Sequence, residues 1–235
     1  MNLLASNRRQ SQSKVVASAD ETTIYIYDAI VQDDDTAAWW GGVSAQSLVP
    51  QIRGIKGGTI NLRINSPGGD VFAAQAIAQA IRDTGAHVVA HIDGYAASAA
   101  TVIATAADES NIASGAFFMI HNAWTFALGN SKELQETAAL LEKVDLSMAA
   151  QYAQRSGKTA DEMKSLMDAE TWFSAEEAVE IGLVSRIAEG KKAQSEWNLN
   201  AYSNAPKIES PQMASDEHRD RQRQRIGMLS RIQIG

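Results

Sequence analysis

Residues 23–31 (TIYIYDAIV), 59–64 (TINLRI) and 87–92 (HVVAHI) are β-rich runs, each followed by turn residues and then a helical pattern. Strands separated by helices cannot pair as hairpins. They need crossovers, which commits the chain to an α/β domain with a largely parallel sheet covered by helices. Residues 32–42 (QDDDTAAWWGG) read as a charged loop, and Ser44 caps a short helix with Ala45, Leu48, Val49 and Ile52 as its apolar face. Asp70 opens a helix to about residue 84, residues 94–97 form a tight turn of small residues, and residues 98–107 read as an alanine-rich helix. Short strands are expected at 111–113 and 116–120. The longest helical pattern covers 131–154, with Leu134, Ala138, Leu141, Leu146, Met148 and Tyr152 as apolar positions. Thr159 with Glu162, and Ser174 with Glu177, are capping boxes for two more helices, and residues 183–187 make a last strand.

A chain of 235 residues is long enough for one domain with a full core plus tails. Residues 1–21, rich in Ser, Gln and Asn, read as a mobile leader, residues 22–188 as the folded domain, and residues 189–235 as a flexible basic tail. Within that tail, 217–234 has the spacing of a short basic helix, the alternative to disorder. Cysteine is absent, which removes disulfide frameworks, thiol nucleophiles and thiolate metal sites together. The net charge is −7, and residues 22–206 carry 12 basic against 22 acidic side chains, so no positive field attracts nucleic acid. No apolar stretch reads as a membrane span, and no apolar run follows Arg8 and Arg9 as in a signal peptide, so a cytoplasmic protein is expected.

Four short segments carry chemistry. In Gly94-Tyr95-Ala96-Ala97-Ser98-Ala99-Ala100, a serine sits between a strand and a helix among small residues, where unpaired helix N–H groups point at whatever it attacks. On this turn alone a simple cap on an alanine helix accounts for Ser98 more readily, since serine caps are common. In Asn65-Ser66-Pro67-Gly68-Gly69-Asp70, proline fixes one backbone angle and two glycines permit close approach, so a Gly69 N–H could join that of Ala99 in holding an oxyanion. An ordinary strand-to-helix turn has the same composition, and the loop lacks the Gly-Lys-Ser/Thr ending of a phosphate-binding loop. His121 follows the apolar run Phe117-Phe118-Met119-Ile120, as a general base or as a satisfied core histidine. His87 and His91 share a strand, but no acid spacing beside them suggests a metal site. Asp168 and Glu170, if their segment is extended, project to one side, and either could orient a histidine or stay a solvated helix-entry charge.

Taken in chain order, INSPGGDVFAA, GYAASAAT, MIHN and ETWFSAEEAVEIGLV make the sequence resemble the ClpP-type serine peptidases, over about residues 22–188. The resemblance implies a ClpP/crotonase-like fold of repeated β-β-α units with a largely parallel sheet and a projecting long helix. It also implies Ser98 as nucleophile, His121 as general base, Gly69 and Ala99 as oxyanion N–H donors, and no cofactor or metal. The family's catalytic Asp falls on Glu170, a departure, with Asp168 as the alternative acid. Protein or peptide substrates and a homo-oligomeric ring follow from the same resemblance, with an ATPase chaperone or procapsid proteins as further partners.

The segment WWGGVSAQSL and the long tails look more like the phage and prophage head-maturation (prohead) members, which cut scaffold and capsid proteins in a procapsid within the host cytoplasm. Two other readings share the fold. A crotonase-type acyl-CoA enzyme would use the paired amides with a Glu base and would not need Ser98 and His121 together. A non-catalytic ring or capsid-assembly subunit would keep the architecture without hydrolysis.

Overall fold

The computed structural model describes residues 14–18, 21–189 and 202–206. The sheet takes its form from β2 (Glu21–Ile26), β5 (Thr59–Ser66) and β6 (His87–Ala97), which run parallel and in register, Ile24 opposite Leu62 and Leu62 opposite Ala90. β5 buries every second side chain, the period-2 alternation that places Ile60, Leu62 and Ile64 against the helices. β1 (Lys14–Ala17) adds to the β2 edge antiparallel, and β7 (Glu109–Ala113) and β10 (Arg186–Ala188) extend the other side in parallel. The expected parallel α/β architecture is therefore present, with antiparallel pairing at β1–β2 and at β8 (Phe117–Ile120) with β9 (Thr171–Phe173).

β6 changes partner along its length. Val89–Ile92 pairs with β7, whereas Tyr95–Ala97 pairs with β8. Residues 94–97, expected as a tight turn, thus continue the strand. Their small side chains suit close packing between neighbouring strands, which composition alone does not separate from a turn.

The crossovers are α2 (Ala45–Gly54), capped by Ser44 as expected, α3 (Val71–Asp83), capped by Asp70 on the Ala73 N–H, and α4 (Ala99–Thr105). Before α2, the segment read as a charged loop holds the helix α1 (Asp34–Trp40), between the short parallel strands β3 (Ile30–Val31) and β4 (Val43–Ser44). Asp33 caps it and Asp34 and Asp35 occupy its first turn, where carboxylates favour the helix N-terminus. It buries no residue, so it carries no periodicity to read.

α5 (Ser131–Ser156) starts from an Asn130–Glu133 capping box, and α6 (Ala160–Asp168) and α7 (Ala175–Glu180) from the two boxes expected at Thr159 and Ser174. α5 is divided lengthwise. Asp145, Met148, Ala149 and Tyr152 are buried in its second half, whereas Leu134, Ala138, Leu140 and Leu146 face outward. The expected apolar face is therefore packed only toward the helix end. Among the described residues no helix is long and apolar enough to cross a membrane.

β1 falls inside the stretch expected as a leader. Val15 and Val16 are β-branched and pair with Ile24 and Thr23, enough to add an edge strand. Tyr202–Ala205, inside the expected tail, lies against the domain. The helix considered at 217–234 lies outside the described residues.

Candidate active site

β8 and β6 run side by side with Ala97 opposite Met119, and the ladder continues as the Ser98 N–H donates to the Met119 carbonyl at 2.9 Å. Two adjacent parallel strands therefore release their next residues together. His121, the first residue beyond β8, places Nε2 2.7 Å from Ser98 Oγ, a full hydrogen bond.

Ser98 stands at φ 54° and ψ −126°, a backbone region costly for a residue with a side chain, and its hydroxyl makes no capping bond to α4. The capping alternative thus does not describe it. Its carbonyl accepts from Thr101 Oγ1 at 2.5 Å, and Thr101 Oγ1 lies 2.6 Å from the Tyr152 hydroxyl. Thr101 spends its one hydroxyl proton on Ser98, so Tyr152 is the donor to Thr101. A buried chain from α5 through α4 thereby holds the Ser98 peptide.

The glycine loop lies against this corner because it has no side chains. A Cβ on Gly68 would stand 2.8 Å from Ser98 Cβ and 2.9 Å from Ala99 N, and one on Gly69 2.1 Å from the Ile30 carbonyl oxygen. β3 pins the loop. The Ile30 N–H donates to the Gly68 carbonyl at 2.8 Å, and the Asp70 N–H donates to the Ile30 carbonyl at 2.9 Å. In a trans peptide the carbonyl and the following N–H point oppositely, so the Gly69 N–H is directed away from β3. The Ala99 N–H is the first of α4, without a partner inside the helix.

His121 is 8% exposed. Burial lowers its pKa below the ordinary imidazole value, against the nearby Glu170 carboxylate, which raises it. Two carboxylates fix the chain as it leaves His121. Asp168 accepts from Asn122 Nδ2 at 2.7 Å, and Asp145 accepts from the Ala123 N–H at 2.7 Å.

The 168–170 segment is not extended. Asp168 closes α6, Ala169 is its C-cap, and Glu170 stands at φ 47°. Met163 and Met167, buried at helical spacing, carry the helix this far. The two acids consequently diverge. Asp168 is held below the ordinary carboxylate range by Lys164 and then Asn122. Glu170 accepts from the Ser203 N–H at 3.1 Å, the Asn204 N–H at 2.6 Å and Trp172 Nε1 at 3.4 Å. Among the described residues neither acid hydrogen-bonds His121. His91, whose Nε2 is 3.0 Å from Asn61 Oδ1, and His87, beside Asp108 and Glu109, lie toward the start of β6, away from Ser98.

Tyr202 is the site residue that sequence reasoning missed. Its ring meets His121 edge-on at 5.4 Å and Trp172 at 5.7 Å, and its hydroxyl donates to the Pro67 carbonyl. The one available signal was an aromatic in a polar stretch, which it shares with Trp197.

A family profile described as Clp protease matches residues 10–191. ATP-dependent Clp protease proteolytic subunit 1 of Corynebacterium glutamicum is 33% identical over 165 residues, covering 68% of this chain and 77% of that protein. ATP-dependent Clp protease proteolytic subunit 2 of Treponema denticola is 33% identical over 135 residues, covering 57% and 68%. These relatives are bacterial proteolytic subunits, a coarser match than the phage members that the sequence suggested. A solved structure of a ClpP1 variant from Listeria monocytogenes superposes with a TM-score of 0.61 at 23% identity, covering 72% of this chain and 92% of the other, which establishes the fold. With a profile match spanning most of its length and relatives of this coverage, the chain belongs to the Clp protease family.

Proposed function

We propose that the chain is a serine endopeptidase that hydrolyses peptide bonds through an acyl-enzyme on Ser98. The observation that carries this reading is the 2.7 Å contact between Ser98 Oγ and a buried His121 Nε2. An imidazole whose pKa lies below its ordinary value is neutral at pH 7 and can accept a proton.

In this mechanism Ser98 Oγ bonds to the scissile carbonyl carbon while its proton passes to His121 Nε2. The carbonyl oxygen takes up negative charge and is held by the Gly69 and Ala99 N–H groups, fixed by β3 and by the start of α4. Collapse breaks the C–N bond, and His121 returns its proton to the leaving amine. Water, deprotonated by His121, then attacks the ester and releases the acid with Ser98 restored. Glu170 is the proposed orienter of His121, since its charge already acts on the imidazole, whereas Asp168 is engaged by Lys164 and Asn122.

The relatives' names, ATP-dependent proteolytic subunits, support protein or peptide substrates and an ATPase partner, and membership of the family supports a homo-oligomeric ring and a cytoplasmic location as part of the same proposal. The finer reading is a phage or prophage protease cutting scaffold or capsid proteins in a procapsid, supported by the Trp39–Trp40 segment and by the tails. In domain terms, residues 22–188 are the core of the proposed peptidase unit, to which β1 and Tyr202–Ala205 add.

A fluorophosphonate probe tests the reading. The adduct is expected on the peptide bearing Ser98 and absent in Ser98→Ala, which should keep its fold and lose peptide hydrolysis down to a residual of roughly 10³–10⁴-fold over water. Equal peptidase activity in Ser98→Ala would remove Ser98 from the role, and an intact pair that never labels would favour a non-catalytic subunit.

A further inference from the structure

Tyr202–Ala205 lies against the Ser98–His121 corner. The Tyr202 ring lies between His121 and Trp172, and Tyr202 and Ala205 pack on the small apolar cluster of Tyr95, Ala97 and Met119 at the ends of β6 and β8. The Tyr202 hydroxyl donates to the Pro67 carbonyl, at the head of the glycine loop, and Ser98 lies close enough to act on the phenol, opposing the upward push of burial on its pKa. Behind the ring the main chain is tied down. The Ser203 N–H reaches Glu170 Oε2, the Asn204 N–H reaches Glu170 Oε1, and Asn204 Nδ2 donates to the Ala169 carbonyl at 2.8 Å.

We propose that Tyr202–Ala205 is a built-in inhibitor of the Ser98–His121 site, a strap from the chain's own C-terminal region that must leave before substrate enters. This rests on the reading of Ser98 as nucleophile. The group beside Ser98 is a phenol, whose oxygen sits on an aromatic carbon and offers no acyl carbon to attack. The strap is therefore posed as an occupant and not as a substrate. It acts twice. It fills the space beside Ser98 and His121, and it takes both Glu170 oxygens as acceptors of its own N–H groups, leaving the acid engaged away from the histidine. One displacement would undo both, opening the cleft and freeing Glu170 to turn to His121.

The test uses the full chain and two variants, Tyr202→Ala, which removes the ring, and Asn204→Ala, which removes one exposed anchor. Fluorophosphonate labelling of Ser98 is expected to be at least about tenfold faster in Tyr202→Ala, since a site closed in nine molecules of ten reacts only through the open fraction. Asn204→Ala should show a smaller rise, and it decides the question alone should Tyr202→Ala fail to fold. NMR titration of His121 supplies a readout independent of turnover. Its midpoint should move up toward the ordinary imidazole value in Tyr202→Ala, because Glu170 is the charged group acting on it and Tyr202 covers it.

Labelling that is unchanged or slower in the variants overturns the proposal, as does a His121 titration identical to that of the parent. Absence of labelling in all three proteins overturns the serine-nucleophile reading itself, and the strap's inhibitory role with it. Equal labelling in all three overturns only the strap.

Discussion

His121 sets the pH behaviour expected of the site. Burial holds its pKa below the ordinary 6.5, so below about pH 6.5 the unfolded chain binds more protons at this position than the folded one. The stability contributed by the neutral imidazole is then complete above the unfolded value and declines as pH falls through it toward the lower folded value. Proton acceptance from Ser98 is lost in the same direction. The rate of fluorophosphonate labelling is expected to be flat near pH 7 and to fall with an acid limb whose midpoint lies below 6.5. A midpoint above 6.5 would mean that an opposite charge governs His121, as it would if Glu170 were already its partner.

Asp145 ties α5 to the corner after His121. It is 7% exposed and accepts the Ala123 N–H. Asp145→Ala should cost about 1 kcal/mol by leaving the half-buried Ala123 N–H without its acceptor, and should slow Ser98 labelling by loosening the exit from β8. Asp145→Asn keeps an acceptor and should lose less on both counts, which urea unfolding and labelling rates would check. Elements of this kind were unevenly legible in the sequence. Ser98, the Gly68–Gly69 loop and His121 lie at strand ends whose composition is local, so they could be read in order. The helix α1 was not legible, because Asp33, Asp34 and Asp35 serve helix starts and loops alike and nothing on α1 is buried. Residues 168–170 were misread because the helix that fixes them is held by Met163 and Met167 packing, not by the acids. Tyr202 was beyond reach, since its hydroxyl bond to Pro67 spans 135 residues and no periodicity announces it.

At the scale of the whole molecule, much of the exposed apolar surface among the described residues lies before and along α5. Phe126 is 91% and Leu128 94% exposed, and Trp124, Leu134, Leu140 and Leu146 are open as well. A monomer rarely leaves so many large apolar side chains uncovered in one region. Light scattering at micromolar concentration is expected to give a mass several times that of one chain, with Leu140→Glu moving it toward the monomer. A strictly monomeric parent would contradict the ring. The partner change along β6 has its own consequence. Because the Ser98 amide is itself a rung of the β6–β8 ladder, and β6 also carries β5 and β7, the proposed nucleophile cannot be freed by fraying of a loop. Hydrogen exchange at that amide is expected to follow cooperative opening of the sheet's central strand, so this corner should stay closed for as long as the sheet does.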